Sequence, residues 1–433
     1  MAPVPPRSSR LGTAVRRLVP PTPLSRRLSL QSVIFKTGDG AFLTGSAVFF
    51  TQVVGLTASQ VGLGLTIGAV AAGLAAIGAG RLADRIGPKR TWAIGALLAA
   101  LLFGAWPFID GFGAYAAMVV VYEILDNTAG AGQNAYILDV LPEEERVTTQ
   151  AYLYSAMNVG STLGAIISGV ALAFDDLTVL RWLPLLTLVL GVVNAFFIAR
   201  LPPAPHDLSA RERSGPRVRP AGPGVLRNAG WLGVSFFSGT LWTNQVLLSV
   251  LIPLWLVQET DSPHWLLAWL FGTNTVLCIV LPAYTSQGIR TPRDGLRRIW
   301  VSTAFFVASC VITMVTHSTA GFLTVTLVWL GHVTVTGAEL AMSSASWAFQ
   351  ATLMDPRRRG EYSSMGFLFS GLGGRWAPAL YTWLAMSWHH VGWLLIGAIV
   401  VVASIGMHPA LRAAERFRDR EFAGATPLEK TAA

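Results

Sequence analysis

Long apolar runs alternate with short polar stretches from residue 32 to residue 408. A helix needs about 20 residues to cross the hydrocarbon core of a bilayer. Twelve runs are close to that length, so the pattern predicts an all-α integral membrane protein with twelve transmembrane helices. The predicted spans are 32–54, 59–80, 91–109, 113–136, 150–174, 179–200, 229–255, 263–285, 299–317, 320–343, 362–385 and 389–408.

The longest polar interruption, residues 202–228, separates the first six spans from the last six. It contains six prolines and no apolar periodicity, a composition typical of a flexible linker. We therefore expect two pseudo-symmetric six-helix bundles joined by this linker. The predicted divisions are a disordered cytoplasmic tail 1–31, an N-terminal bundle 32–201, the linker 202–228, a C-terminal bundle 229–408 and a cytoplasmic tail 409–433.

A weak internal repeat relates the two predicted bundles. Residues 80–92 resemble residues 288–300 at a displacement of 208 positions, and the next pair of loops is displaced by about 214. Two matches at nearly one offset favour parallel repeats with a binding site between them. The second copy has Pro292 where the first has Asp84.

Charge supports the membrane prediction and orients it. Charged residues make up 13% of the chain, against about 25% in soluble domains. If both termini are cytoplasmic, 29 of the 32 Lys and Arg residues lie on the cytoplasmic side, the bias that sets topology. The net charge of +9 is therefore attributed to topology and anionic lipid headgroups, not to nucleic acid. The dominance of Arg over Lys is typical of a GC-rich bacterial genome, so we expect a location in the plasma membrane. We also expect a monomer.

Charged residues inside spans are the informative ones, because polar groups in the bilayer core usually face a cavity or a partner. Lys36 and Asp39 on span one are three residues apart and share a helix face. Either the two residues neutralise each other, or Asp39 is a protonatable or substrate-facing carboxylate in a central pathway.

Span four carries Glu123 and Asp126 at the same spacing. Two carboxylates this close in a low dielectric cannot both stay ionised cheaply, so at least one is expected to hold a proton near neutral pH. Such a group can carry protons. The alternative is that Glu123 lies near the outer mouth and is simply hydrated.

Spans ten and eleven carry three further candidates. Glu339 follows Asp126 by 213 positions, so the repeat predicts that these acids face each other across the pseudo-symmetry axis. His332 either titrates or hydrogen-bonds a neighbour. Arg375 is always charged and needs a carboxylate, with Glu339, Asp126 and Glu123 as candidates, or an anionic substrate group. Neutral residues that could line the same cavity are Asn127, Asn158, Asn244, Gln245 and Asn274.

The loop between spans two and three has the sequence Gly-Arg-Leu-Ala-Asp-Arg-Ile-Gly-Pro-Lys-Arg over residues 80–90. This pattern resembles the signature loop of the major facilitator superfamily. The resemblance implies two bundles that rock about a central site. It also implies that the loop's acid holds the bundles together by capping a helix of the other half, and that Arg85 pairs with Asp139. The predicted gate residues are Gly80, Asp84, Arg85, Gly87, Lys89, Arg90 and Asp139.

A second resemblance concerns span five. Proton-driven exporters of the superfamily carry the pattern G-x-x-x-G-P-x-x-G-G there, and this chain keeps Gly160, Gly164 and Gly169 but has Ala165 and Ser168 at two other positions. These glycines also let helices approach closely. The usual span-four Arg of those exporters is absent. The resemblance implies proton-coupled efflux of small amphipathic molecules, such as drugs or natural products, with no cofactor and the proton gradient as energy source.

Three alternatives stay open. An importer or facilitator of a metabolite would have the same fold, and so would a sensor that no longer transports. A membrane enzyme is disfavoured because neither an H-E-x-x-H nor a G-x-S-x-G pattern is present. Four intramembrane acids against two bases favour a neutral or cationic small-molecule substrate.

Overall fold

The computed structural model describes residues 19–174, 176–205, 207–208, 223–263 and 265–421. These residues form helices joined by short turns, with no strand among them, which confirms the all-α prediction. We number the spans in chain order. Spans one to six are Pro23–Val48, Ala58–Ile86, Pro88–Leu102, Gly111–Val140, Glu143–Ala173 and Leu177–Ala199; span seven is Ala229–Glu259; spans eight to ten are Leu266–Val280, Pro292–Val315 and Phe322–Leu353; spans eleven and twelve are the two parts of Arg359–Glu421.

Eight of the described helices are long and apolar enough to cross a membrane. The longest of them contains two passages, because His389 leaves the helical conformation at φ 43° and ψ −115°. Span eight is apolar but short. Spans one and four are long enough to cross a membrane but are less apolar than the other eight helices. They are the helices that carry the two predicted charged pairs. With these, the described helices agree with twelve passages.

The first and last spans extend beyond their predicted ends. Span one begins at Pro23, where the Thr22 side chain accepts from the main-chain N–H of Ser25. Within residues 23–31 Leu28 is buried and Arg26 exposed, so this turn is amphipathic and an apolar-run search misses it. The last helix likewise continues to Glu421. Residues 1–18 of the predicted N-terminal tail and 422–433 of the C-terminal tail lie outside the described residues.

Span seven changes helix type along its length. Its first regular helix ends at Leu241, a π-helical segment lies at Leu247–Leu251, and regular helix continues from Ile252 to Glu259. π-helical segments are frequent at functional positions.

The two sets of six spans pack in similar ways. Span one lies on span five, span two on span four, and span nine on span ten, while span seven lies on the helix that forms spans eleven and twelve. The sets meet where span two contacts span eleven and where span five contacts spans eight and ten.

Both described ends of the linker are fixed. The Asp207 carboxylate accepts from the main-chain N–H groups of Lys89 and Ala204 at 3.1 and 2.9 Å. Val225, at the other end, is fully buried. Burial raises the pKa of the Asp207 carboxyl, although both hydrogen bonds act to lower it. Residues 209–222 of the linker lie outside the described residues.

Candidate functional site

A cavity of about 680 Å³ lies between the two sets of spans. Lys36 and Asp39 reach it from span one, and Glu123 and Asp126 reach it from span four. The structure therefore brings four of the predicted charged residues into one space. The opposite wall includes Trp242, Ser346, Gln350 and Phe367 from the second set of spans.

Lys36 and Asp39 form an ion pair inside this cavity. The Lys36 Nζ lies 2.6 Å from Asp39 Oδ2, and the two side chains are 23% and 27% exposed. An ion pair with this access to water can exchange partners, because each charge can be rehydrated or can meet a charged ligand. Glu123 and Asp126 are half-buried, so the same space holds three carboxyl groups and one ammonium group.

Close helix packing places span one beside this cavity. A Cβ atom at Gly160 would lie 2.9 Å from the Cβ of Lys36, and one at Gly164 would overlap the main chain of Thr37. A Cβ at Gly40 would lie 2.8 Å from the Ser161 carbonyl oxygen. A Cβ at Gly169, in contrast, would meet nothing within 4 Å. Gly160 and Gly164 thus allow span one to lie close to span five, and this packing fixes the position of Lys36 and Asp39 in the cavity.

Glu339 lies beyond the cavity wall and is 5% exposed. One carboxylate oxygen accepts from the hydroxyl of Tyr154, which lines the cavity. The other accepts from Asn274 Nδ2 at 3.0 Å and from the Cys278 thiol at 3.6 Å. Tyr154 belongs to span five and Glu339 to span ten, so this buried hydrogen bond joins the two halves. Sequence reasoning did not single out Tyr154, although its position one helical turn before Asn158 was a usable signal.

We expect Tyr154→Phe to lower the rate of transport about tenfold. The change removes one donor to a buried carboxylate, and a hydrogen bond to a charged group is worth about 1.5–3 kcal/mol. Glu339→Gln combined with Tyr154→Phe should cost less than the sum of the single changes, since they share one interaction. Transport rates of the four proteins, measured in proteoliposomes, form the test. Additive losses would mean that the two groups act separately.

His332 lies apart from these groups, whereas Arg375 is close enough to Glu123 for its charge to act on that carboxyl group, although the two form no ion pair among the described residues. His332 is fully buried in span ten, its ring 6.2 Å from that of Phe271, and among the described residues neither ring nitrogen has a hydrogen-bond partner. Arg375 is exposed on span eleven. In the described part of the chain no ion pair joins Arg375 to Glu339, Asp126 or Glu123.

The loop of residues 80–90 joins the two halves at the start of span eleven. The Asp84 carboxylate is buried and accepts from the main-chain N–H groups of Gly360 and Glu361 at 3.0 and 3.3 Å. These are the first free N–H groups of span eleven, which carry a positive partial charge. Gly80 allows this approach, because a Cβ there would overlap the Gly360 carbonyl.

Other residues of the loop have different partners. Gly87 adopts a φ of 99° that favours glycine, and a Cβ would also meet the Asp207 carboxylate. Lys89 donates through its main-chain N–H to Asp207 and through its ammonium group to the Leu201 carbonyl. The first contact ties the loop to the linker, and the second ties it to Leu201, the residue directly before the linker. Arg85 and Arg90 are exposed.

Asp139 forms an ion pair across the halves. Its carboxylate lies 3.1 Å from Arg359 Nη1, at the start of span eleven. The charge of Asp139 also acts on Arg146 in its own half, and Arg85 is exposed. Further links between the halves run from Arg81 to Glu361, 3.5 Å apart. Asn134 Nδ2 likewise donates to Gln350 and Ser363 at 2.9 and 3.1 Å.

Known proteins share this architecture. The family model of the Major Facilitator Superfamily matches residues 28–378. The multidrug resistance protein MdtH of Proteus mirabilis (strain HI4320) is 25% identical over 375 residues, which cover 84% of this chain and 88% of MdtH. A bacterial homologue of the iron transporter ferroportin, in an outward-facing state, superposes with a TM-score of 0.70 at 14% identity, covering 90% of this chain and 99% of the other. The proton:xylose symporter XylE gives 0.66 at 12% identity, covering 94% and 99%. At these identities the two structures bear on the fold alone.

Proposed function

Because this chain belongs to the Major Facilitator Superfamily, and so to a family of membrane transporters, we propose that it is a proton-coupled exporter of small amphipathic molecules. It works by alternating access in the plasma membrane, with the basic loops and both termini in the cytoplasm. The contacts of Asp84 with span eleven join the two halves at the end that carries the basic loops, so we infer a state closed towards the cytoplasm. One chain supplies both halves of the cavity, which supports a monomer.

The observation that carries this proposal is the charge content of the cavity. Asp39, Glu123 and Asp126 share it with a single ammonium group, that of Lys36. Even with Arg375 close enough to act on Glu123, the charges balance only if at least one carboxyl group is protonated or a cation enters. A proton and a cationic substrate would therefore compete for the same carboxylates, which is the physical requirement for antiport.

The remaining wall suits the apolar part of such a substrate. Phe35, Phe103, Trp242 and Phe367 line the cavity beside the charged residues. Aromatic faces attract organic cations as well as apolar groups. The name of MdtH, a multidrug resistance protein, supports the same substrate class.

The test is transport of the cationic dye ethidium by proteoliposomes with an imposed pH gradient. In the wild type a gradient should drive ethidium in the direction opposite to proton flow. Asp126→Asn removes one protonatable group from the cavity. We expect gradient-driven transport to fall at least about tenfold, which corresponds to a loss of about 1.4 kcal/mol. Asp39→Asn should lower it similarly, because Lys36 would lose its counter-charge and repel the cation.

Asp110→Asn is the matched control, because Asp110 is exposed at the start of span four and lies outside the cavity. It should transport like the wild type. Ethidium movement that ignored the gradient in the wild type would contradict proton coupling. Movement in the same direction as the protons would support the importer alternative.

A further inference from the structure

A second polar cluster lies at the end of the molecule opposite the 80–90 loop. Glu259 is the last residue of span seven, His317 lies in the turn between spans nine and ten, and His389 lies at the break between spans eleven and twelve. One ligand atom of each lies within 4.8 Å of the others. Residues far apart in sequence thus meet at one point.

The spacing of these atoms fits a metal ion. Glu259 Oε2 lies 3.3 Å from His317 Nδ1 and 3.6 Å from His389 Nε2. Zn–N bonds of 2.0–2.1 Å place neighbouring ligands of a tetrahedral ion roughly 3.3–3.4 Å apart. We propose that Glu259, His317 and His389 bind a divalent transition-metal ion, and Zn²⁺ in particular.

The donor set favours this class of ion over Ca²⁺ or Mg²⁺. Two imidazoles and one carboxylate suit Zn²⁺, whereas hard cations prefer oxygen ligands. Zinc sites with three protein ligands keep the fourth position for water. The two histidine side chains are each 42% exposed and Glu259 is 19% exposed, so both the ion and its water can reach the cluster from bulk solvent.

A buried tryptophan packs against the two histidines of the cluster. The ring of Trp255 lies 6.1 Å from that of His317 and 6.3 Å from that of His389. Its indole N–H donates to Thr316 Oγ1 at 3.0 Å, next to His317 in the chain. These contacts orient both imidazoles before an ion arrives, and such preorganisation favours binding. A bound ion would fix the end of span seven to two neighbouring turns.

Zinc titration of the purified full chain, freed of any polyhistidine tag, tests the site. We expect one zinc ion per chain by elemental analysis after equilibrium dialysis. Glu259→Gln and His317→Ala should each weaken binding at least tenfold, since even outer-shell partners account for about 10–100-fold. His408→Ala is the matched control, because His408 lies on span twelve, where it accepts from Trp300 Nε1 at 2.9 Å, away from the cluster. It should bind like the wild type.

A measurement on the wild type alone guards against variants that fold poorly. Cu²⁺ should occupy the same site with higher affinity, and its electron paramagnetic resonance spectrum should show splitting from two nitrogen ligands. Zinc should displace this signal. A spectrum without nitrogen splitting, or equal zinc affinity in the wild type and in the Glu259 and His317 variants, would overturn the proposal.

Discussion

Replacing Gly80 by valine is expected to disfavour the state closed at the cytoplasmic loops by at least about 100-fold. A Cβ at Gly80 would overlap the Gly360 carbonyl, and a Cβ at Gly360 would overlap the Gly80 carbonyl. Overpacking that side chains can relieve by moving costs about 1–3 kcal/mol. Here the atoms in the way belong to the main chain of both helices, which cannot change rotamer. Since each 1.4 kcal/mol is tenfold, about 3 kcal/mol gives the expected shift.

Pulsed electron paramagnetic resonance can measure this shift. Spin labels on Arg90→Cys and Arg416→Cys occupy exposed positions on the two halves, and the native thiols Cys278 and Cys310 are buried. The wild type should show the shorter distance and Gly80→Val a longer one. Gly78→Val is the matched control, because a Cβ at Gly78 would meet nothing within 4 Å. Equal distance distributions in the two variants would refute the role given to Gly80.

The spans could be predicted from sequence because transfer of apolar helices into lipid depends on local composition alone. The same reasoning missed the true start of span one. Residues 23–31 bury Leu28 and Gln31 while Arg26 stays exposed, and a one-sided pattern of that kind is invisible to a search for apolar runs. The π-helical segment of span seven was also missed, since π-helical geometry leaves no strong sequence pattern.

The charged residues of the cavity could be singled out because charge inside a span is costly and therefore rare. Tyr154 was not found, because its importance depends on Glu339, which lies 185 positions away. The contact of Asp139 with Arg359 was not predicted for a similar reason, because Arg359 lies 220 positions away at the start of span eleven.

The metal cluster shows the limit of an approach based on intramembrane charge. Glu259, His317 and His389 all lie at span ends, where polar residues are ordinary and attract no notice. Only the packing of span seven against two turns of the second half brings their ligand atoms together. No spacing in the sequence resembles a zinc pattern, so this site could be found only in three dimensions.

The loss of the loop's acid in the second repeat has an explanation in helix electrostatics. The first turn of span eleven contains a single acid, Glu361, which is paired with Arg358 and Arg81. Asp84 supplies a second acid at this positive N-terminus. Span five starts with three glutamates of its own in the first turn, which already suit a helix N-terminus. The second loop packs near this start through Ile289 and Val147. An acid at Pro292 would therefore add repulsion instead of attraction.

This asymmetry predicts a large effect of Asp84→Ala. The change leaves the N–H groups of Gly360 and Glu361 buried without their acceptor in the closed state, whereas both are free to meet water once the loops part. Hydrogen bonds to a charged group are worth about 1.5–3 kcal/mol, and a loss of about 2–3 kcal/mol lowers the closed population roughly 30- to 160-fold. Asp84→Asn keeps one acceptor oxygen, so its population of the closed state should lie between those of Asp84→Ala and the wild type.

The matched control is Asp294→Ala in the second loop, because in the described part of the chain the Asp294 carboxylate contacts only its own turn, at Thr291, Arg290 and Arg297. The same spin-label pair should show the longer distance for Asp84→Ala and the wild-type distance for Asp294→Ala; an equal response to the two changes would mean that loop charge in general, and not the cap on span eleven, keeps the cytoplasmic end closed.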